Sequence, residues 1–444
     1  MGGESRRLLA VLAAGTLLAA AAGCGDDELV GLDRVGRAGA PKVLKLQVNA
    51  DYSPQASTPS TAEGFRKLFA EWARKHPDWR IDLNIVPASM STTEQARLLE
   101  KARVGQAPDC ANVDSFTVPL FIEQEALVPL DEHFSQREVA KLLPYVRDVI
   151  TGPDDSIYAW WFSTDLRVLY RRTDLVPEAP RTWDELIEAG REAVRKDSDV
   201  DGYLFNGGRW EAATFDNLGY FWSQGGELLD EGGRPIFAEG ANRDRMLALL
   251  RFLARTVDEG VSPSRVTTII NYDEFQKAAE GGSVAMFLGG SWQWASMEES
   301  LGEDAMRDWA VSEPPGRRAG ETATGTGGWA FGAFSDDPEK VAACASVIKE
   351  VYIGVGNEIT SELPTSRRLL RTLEAFQSPI NRTYRRFLEH GRARPGLAIY
   401  PSLSNELQIA VGSVLTGSAT PEEALDTAGD RVAETYEILS GGDG

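Results

Sequence analysis

The sequence predicts an α/β protein of two lobes, and three observations predict it. The 444 residues are 42% hydrophobic and carry 11 Trp, 11 Tyr and 17 Phe, enough apolar material for two cores. From Val43 to Val113 strand and helix patterns alternate in the order β-α-β-α-β, which implies a parallel sheet with covering helices. The run Thr324–Phe334 (TGTGGWAFGAF) places Gly325, Gly327 and Gly328 directly before an alternating Trp329, Phe331, Phe334. Glycines there let the backbone take positive φ and let a ligand approach, so the run reads as a hinge strand at the mouth of a cleft. The alternative is a loose loop entering a core strand.

The elements follow in chain order. Arg6-Arg7 and the apolar run Leu8 to Ala22 make a signal peptide over residues 1–23. The run is too short and too Ala-rich for a good membrane span. Cys24 directly after Gly23 resembles a bacterial lipobox, although Ala21 stands where Leu is usual; Cys24 is then the lipidated N-terminus. The polar, Gly-rich stretch 24–41 reads as a flexible tether. Val43–Val48 alternates as a first strand and ends at Asp51-Tyr52. Phe65, Leu68, Phe69 and Trp72 fall at helical spacing over Thr61–His76. Ile81, Leu83 and Ile85 mark a second strand, Thr93–Val104 a second helix, and Asp109–Val113 a third strand ending at Asp114-Ser115.

Ile157–Tyr170 (IYAWWFSTDLRVLY) is extended and interrupted by Asp165. Thr182 with Glu185 makes a capping box for the next helix. Tyr203-Leu204-Phe205 reads as a short strand, Phe215–Gln224 as helical and Ala241–Glu259 as a long amphipathic helix. Ser283–Leu288 reads as a strand before the turn Gly289-Gly290-Ser291-Trp292, and Pro338–Val351 as a helix. Thr420-Pro421-Glu422-Glu423 caps the last helix, with Pro at its first position.

Composition excludes several functions. A net charge of -21 without a basic stripe argues against nucleic acid. Only three His occur, His76, His133 and His390, far apart in sequence, so no metal site and no Ser-His-Asp machinery is expected. No cofactor motif is present. Cys110 and Cys344 fall in the first lobe of this reading; an exported protein permits a disulfide, and two buried thiols are the alternative.

Several short motifs, in order, resemble the family 1 extracellular solute-binding proteins, the lipoprotein receptors of carbohydrate ABC importers. They are Gly105–Asp109 (GQAPD), Leu127–Asp131 (LVPLD), Pro180–Leu186 (PRTWDEL), Ala285-Met286-Phe287 with Gly290-Ser291-Trp292, Gly327–Ala330 (GGWA), Leu363-Pro364-Thr365 and Gly417–Leu425 (GSATPEEAL). The resemblance covers Val43 to Leu439 and implies a type II periplasmic-binding-protein fold: two lobes, hinge-linked, with the ligand cleft between them. The lobes are then 42–164 plus 325–363 and 165–324 plus 364–440, with the chain crossing near Asp165, Thr324 and Leu363.

Sugars offer hydroxyls and apolar faces, so carboxylates and flat aromatic rings suit them. By position in the family's pattern the cleft residues are Asp51, Tyr52, Asp114 and Ser115 from the first lobe, and Trp161 and Asp165 at the first crossing. Trp210, Glu211 and Trp292 come from the second lobe, Gly328 and Trp329 from the second crossing, and Tyr400 from the late loop. For each Asp the bland alternative is a cap or turn residue; for each Trp it is the core. The expected protein is a monomeric, lipid-anchored, extracytoplasmic receptor and not an enzyme. It binds a sugar or oligosaccharide and hands it to an ABC permease. The alternatives are a tethered glycoside hydrolase, or the same receptor for a polyamine or other solute.

Overall fold

Alternating apolar residues build the first strands. Lys42–Asn49 and Trp79–Val86 pair in parallel along their whole length, from Lys42 opposite Trp79 to Asn49 opposite Val86. In this computed structural model, which describes residues 29–87 and 92–441, the helix Pro59–Lys75 connects them and buries Phe65, Phe69 and Trp72. The strand Cys110–Asp114 lies on the other side of Lys42–Asn49, again parallel, after the helix Thr92–Arg103. The β-α-β-α-β reading holds.

Two longer strands tie the sheet together. Ala159–Arg172 pairs antiparallel with Thr324–Ala333 through its first half, and from Arg167 onward it pairs with Met286–Gly290 and Trp309–Ser312. The change of partner falls at Leu166/Arg167, beside Asp165. Thr324 bonds the same point: its Oγ1 accepts from Arg167 N at 2.8 Å and donates to Arg167 O at 2.7 Å. Leu363–Pro364 adds antiparallel to Ser163 and Thr164. The three segments expected to cross between lobes thus lie side by side.

The glycines before Trp329 serve close approach. Gly328 has φ +133, and a Cβ there would sit 1.9 Å from Ser163 O. Only glycine lets the two long strands meet at this point.

Both capping motifs act at their helices. Thr182 accepts from Glu185 N at 3.1 Å at the start of Trp183–Lys196. At Pro421–Ser440 the box is reciprocal, Thr420 Oγ1 to Glu423 N and Glu423 Oε2 to Thr420 N. Tyr203-Leu204-Phe205 forms no ladder and makes one isolated parallel bridge, Leu204 to Phe287. The chain after Pro364 first packs on residues of the first lobe: Leu143 N donates to Thr365 O and Arg367 N to Lys141 O. Arg392 and Arg394 bring it to the helix Glu211–Trp222, and Tyr400–Leu415 then packs on that helix and on Gly240–Asp258.

The tether expectation needs correction within the described part. Leu29, Val30 and Val35 are buried, and Arg34–Val35 pairs antiparallel with Asp82 and Ile81. A short apolar triplet in a polar stretch finds the open edge of Trp79–Val86 and covers it. The signal peptide 1–23, Cys24 and residues 25–28 lie outside the described residues.

Cys110 and Cys344 are joined in a disulfide, with Cα atoms 5.6 Å apart and a separation of 234 positions in sequence. It fastens a central strand to the helix Pro338–Val347. Closing so long a loop restricts the unfolded chain strongly. The double variant Cys110→Ser/Cys344→Ser is expected to lose about 2–5 kcal/mol in chemical denaturation. An unchanged midpoint would show the bridge to be dispensable.

Candidate functional site

The site begins at strand ends. Asn49 ends the first strand, and its Oδ1 accepts from Asp51 N at 2.9 Å, turning Ala50–Tyr52 into a short 3₁₀ helix. Asp114 ends the third parallel strand and accepts from Phe116 N at 3.3 Å. Both turns lie at the carboxyl ends of parallel strands, where open α/β sheets bind ligands. From there the predicted residues gather into three linked clusters.

The first centres on Glu362. The Tyr52 hydroxyl donates to its carboxylate at 2.6 Å, and the Tyr52 ring meets Trp329 edge-on at 6.0 Å. Burial pushes the Glu362 carboxyl up to about 7, assisted by the charges of Asp165 and Asp51. Asp51 is raised too, by burial and then by Asp273, which opens the helix Asp273–Glu280.

The second centres on Arg167, only 3% exposed. Its guanidinium donates to Asp165 at 2.8 Å, to Tyr272 Oη at 3.2 Å, and through Nε to Asp216. It packs on Phe215 at 4.3 Å and Trp292 at 5.0 Å. Tyr272 in turn meets Trp210 and Trp292, each at 5.0 Å. Burial pulls the guanidinium down, but Tyr272, Asp216 and Asp165 outweigh it and hold it above its ordinary value. Asp165 also accepts from Gly327 N at 3.2 Å, which anchors it to the second long strand.

The third centres on Arg394, 5% exposed. It donates to Asp114 at 2.8 Å and to Glu211 at 3.1 Å, sandwiched between the rings of Phe116 and Phe215 at 4.2 and 4.0 Å. Tyr400 and Ser404 complete Glu211 with hydroxyls at 2.7 Å each. A Cβ at Gly327 would come 3.2 Å from Arg394 Nη2, so this glycine makes room for the guanidinium. Arg394 therefore bridges the carboxylate at the end of Cys110–Asp114 to the one that opens the helix Glu211–Trp222.

Of the residues expected in the cleft, Tyr52, Asp114, Asp165, Trp210, Glu211, Trp292, Trp329 and Tyr400 enter these clusters, and Asp51 borders the first. Ser115 is buried beside Asp114, its Oγ 3.4 Å from Oδ1. Gly328 shapes the strand. Trp161 does not join them: it is fully buried, donates to Ser163 O at 2.6 Å and packs on Tyr145. Its strand is covered on both faces at that point, so a ring there fills core. Asp114 is the cap weighed for it, and its carboxylate also pairs with Arg394.

Sequence reading missed Arg167, Asp216, Tyr272, Glu362 and Arg394. One had a signal. Asp216 sits in Glu211–Trp222, a helix buried at every position from Ala212 to Trp222, and a lone Asp in such a helix demands a partner.

The sequence profile of the bacterial extracellular solute-binding proteins matches residues 56–347. The chain belongs to that family. A probable ABC transporter-binding protein of Deinococcus radiodurans is 26% identical over 400 residues, covering 84% of this chain and 91% of its own. A solute-binding protein of Thermotoga lettingae, solved with α-D-tagatose, superposes with a TM-score of 0.75 at 22% identity, over 88% of this chain and 99% of its own. Maltose-bound MalE3 of T. maritima gives 0.75 at 23% identity, over 88% and 99%. The two-lobed fold expected of the solute-binding family is the fold of this chain.

The Glu362 shift has a measurable consequence for this solute-binding protein. A carboxyl raised in the folded state keeps a proton that the unfolded chain releases between its ordinary 4.5 and about 7. The stability it contributes is present in full at the acid end and is lost as pH rises through the folded value. The denaturation midpoint should therefore fall as pH rises from 4.5 to about 7 and level off above it, and Glu362→Gln should flatten that slope. An identical slope in the variant would place the titration elsewhere.

Proposed function

We propose that this protein is the receptor of an ABC importer, lipid-anchored through Cys24 outside the cytoplasmic membrane, that binds a sugar or oligosaccharide between its lobes and presents it to the permease. The observation that carries the reading is the composition of the facing clusters. Flat rings (Trp210, Trp292, Trp329) stand beside carboxylates (Asp51, Asp165, Glu362) drawn from both lobes and the strands between them. The indole N–H of Trp210 and Nε of Arg394 are buried donors with no partner among the described residues. Buried donors of this kind suit acceptors brought by a ligand. The Thermotoga lettingae neighbour is bound to tagatose and MalE3 to maltose, and the Deinococcus relative is named for an ABC transporter, in keeping with the proposal.

Rings stack on the apolar faces of the sugar while carboxylates accept from its hydroxyls. A ligand touching both lobes favours the closed state, and about 5.5 kcal/mol of differential affinity moves such an equilibrium from 1:99 to 99:1. No bond of the ligand is made or broken, and the protein acts as a monomer.

One feature favours a second ligand class. Asp51, Asp273 and Glu362 have no cationic partner among the described residues, and carboxylates beside aromatic rings also receive amines.

A thermal-shift screen against mono- and oligosaccharides and polyamines tests the reading. A ligand at a hundredfold excess over its Kd adds about 2.7 kcal/mol. A shift with one sugar class, lost in Trp292→Ala and Asp165→Asn, supports it. A shift with polyamines alone would replace the substrate. Turnover of a glycan, abolished by Asp165→Asn, would overturn it.

A further inference from the structure

A cavity of about 1110 Å³ lies behind the long strands, on the face away from the clusters above. One wall is Leu143, Pro144, Tyr145 and Asp148; the other comes from the segment between Arg367 and Gly391. Tyr145 sets its position. Its hydroxyl is 2.9 Å from Thr164 Oγ1. Thr164 and Asp165 are successive residues of one strand and point to opposite faces. Asp165 faces the Arg167 cluster, so Thr164 and Tyr145 face the rear.

Five arginines line this cavity: Arg367, Arg371, Arg382, Arg385 and Arg386. Arg382, Arg385 and Arg386 are spaced i, i+3, i+4 along the helix Pro379–Phe387 and so share one face. The contacts of these side chains are neutral. Arg385 donates to Leu370 O at 2.8 Å, Arg386 to Thr383 Oγ1 at 3.1 Å, and Arg382 to Gln377 O. None donates to a carboxylate among the described residues, and only Asp148 and Glu389 bring negative charge to the lining. Many arginines elsewhere are neutralised, as Arg234 is by Asp230 and Glu239, and Arg255 by Asp184 and Glu259; those that meet only neutral acceptors, such as Arg171 and Arg245, are not grouped in this way. In a chain of net charge -21, five cations left together around a hollow are an exception. Their mutual repulsion is relieved by an anion, and the guanidinium fork matches phosphate oxygens two at a time. The volume is at the upper end for small-molecule sites.

We propose that this rear cavity binds a multiply charged, phosphate-bearing group. Two sources share that chemistry, a soluble phosphate compound and a phospholipid headgroup. Calorimetric titration of the purified chain with tripolyphosphate at fixed ionic strength tests the first. Co-sedimentation with vesicles of phosphatidylglycerol and phosphatidylcholine, against phosphatidylcholine alone, tests the second. Each is repeated with Arg382→Glu/Arg386→Glu, with the milder Arg382→Gln/Arg386→Gln, and with Arg97→Glu/Arg103→Glu as a control on a distant exposed helix. The expected result is binding in one arm or both, weakened at least tenfold by either cavity variant and unchanged by the control. Binding to vesicles alone assigns the headgroup; binding of tripolyphosphate alone assigns the soluble compound. Should the charge-reversed protein fail to fold, the glutamine variant carries the test. Absence of binding in both arms overturns the proposal, as does equal loss in the control. Ligand binding in the front cleft is measured alongside, and its persistence in the cavity variants separates this site from that one.

Discussion

Arg167→Met is expected to destabilise the protein by about 3–5 kcal/mol, the cost of breaking a buried ion pair from one side. The arginine is 3% exposed and Asp216 1%, so the carboxylate left behind cannot reach water. Asp216 keeps Tyr272 at 2.9 Å and Asn206 as donors, which satisfies hydrogen bonds and leaves the charge uncompensated. Asp165 also loses its partner and is then held by Gly327 N alone. The denaturation midpoint measures the loss. Arg167→Met/Asp216→Asn should recover much of it, because removing both charges is far cheaper than stranding one. A single variant as stable as the parent would mean that Asp216 is neutral in the folded chain.

Arg394→Met is expected to act on closure. With the guanidinium gone, Asp114 and Glu211, which both accept from it, are left close together as like charges. Truncating one partner of a buried, hydrogen-bonded charge pair costs about 2–5 kcal/mol, which in affinity is roughly 30-fold or more. Methionine keeps the packing between Phe116 and Phe215, so the effect reads the charge. Titration with the ligand found by thermal shift gives the affinity, and small-angle scattering gives the open and closed populations. A parental affinity would show that closure does not depend on this bridge.

Much of the fold was legible because it is local. Helical spacing of Phe65, Phe69 and Trp72 places one face in the core whatever surrounds it, and the helix Pro59–Lys75 buries those residues. Thr420 and Glu423 are three residues apart, so their reciprocal cap needs only a helix start. The glycines of Thr324–Phe334 read as allowing positive φ and a ligand's approach; Gly328 does take positive φ, and what comes close to it is the backbone of Ser163.

The sequence by itself thus determined the order of strands and helices, the family, and segments that meet in the three clusters: the ends of the first and third parallel strands, the Asp165 strand and the Gly-Gly-Trp strand. Tertiary structure decided which side chains meet. Arg394 finds Asp114 280 residues away, and Tyr52 finds Glu362 across 310. Such pairs leave no periodic trace, since nothing in the spacing of either residue depends on the other. Nor could sequence separate Trp161 from Trp329. Both flank polar residues in long strands, but neighbours on both faces bury the first while the second stays partly exposed. Burial at a given strand position is set by what packs over it, and only the assembled layers supply that.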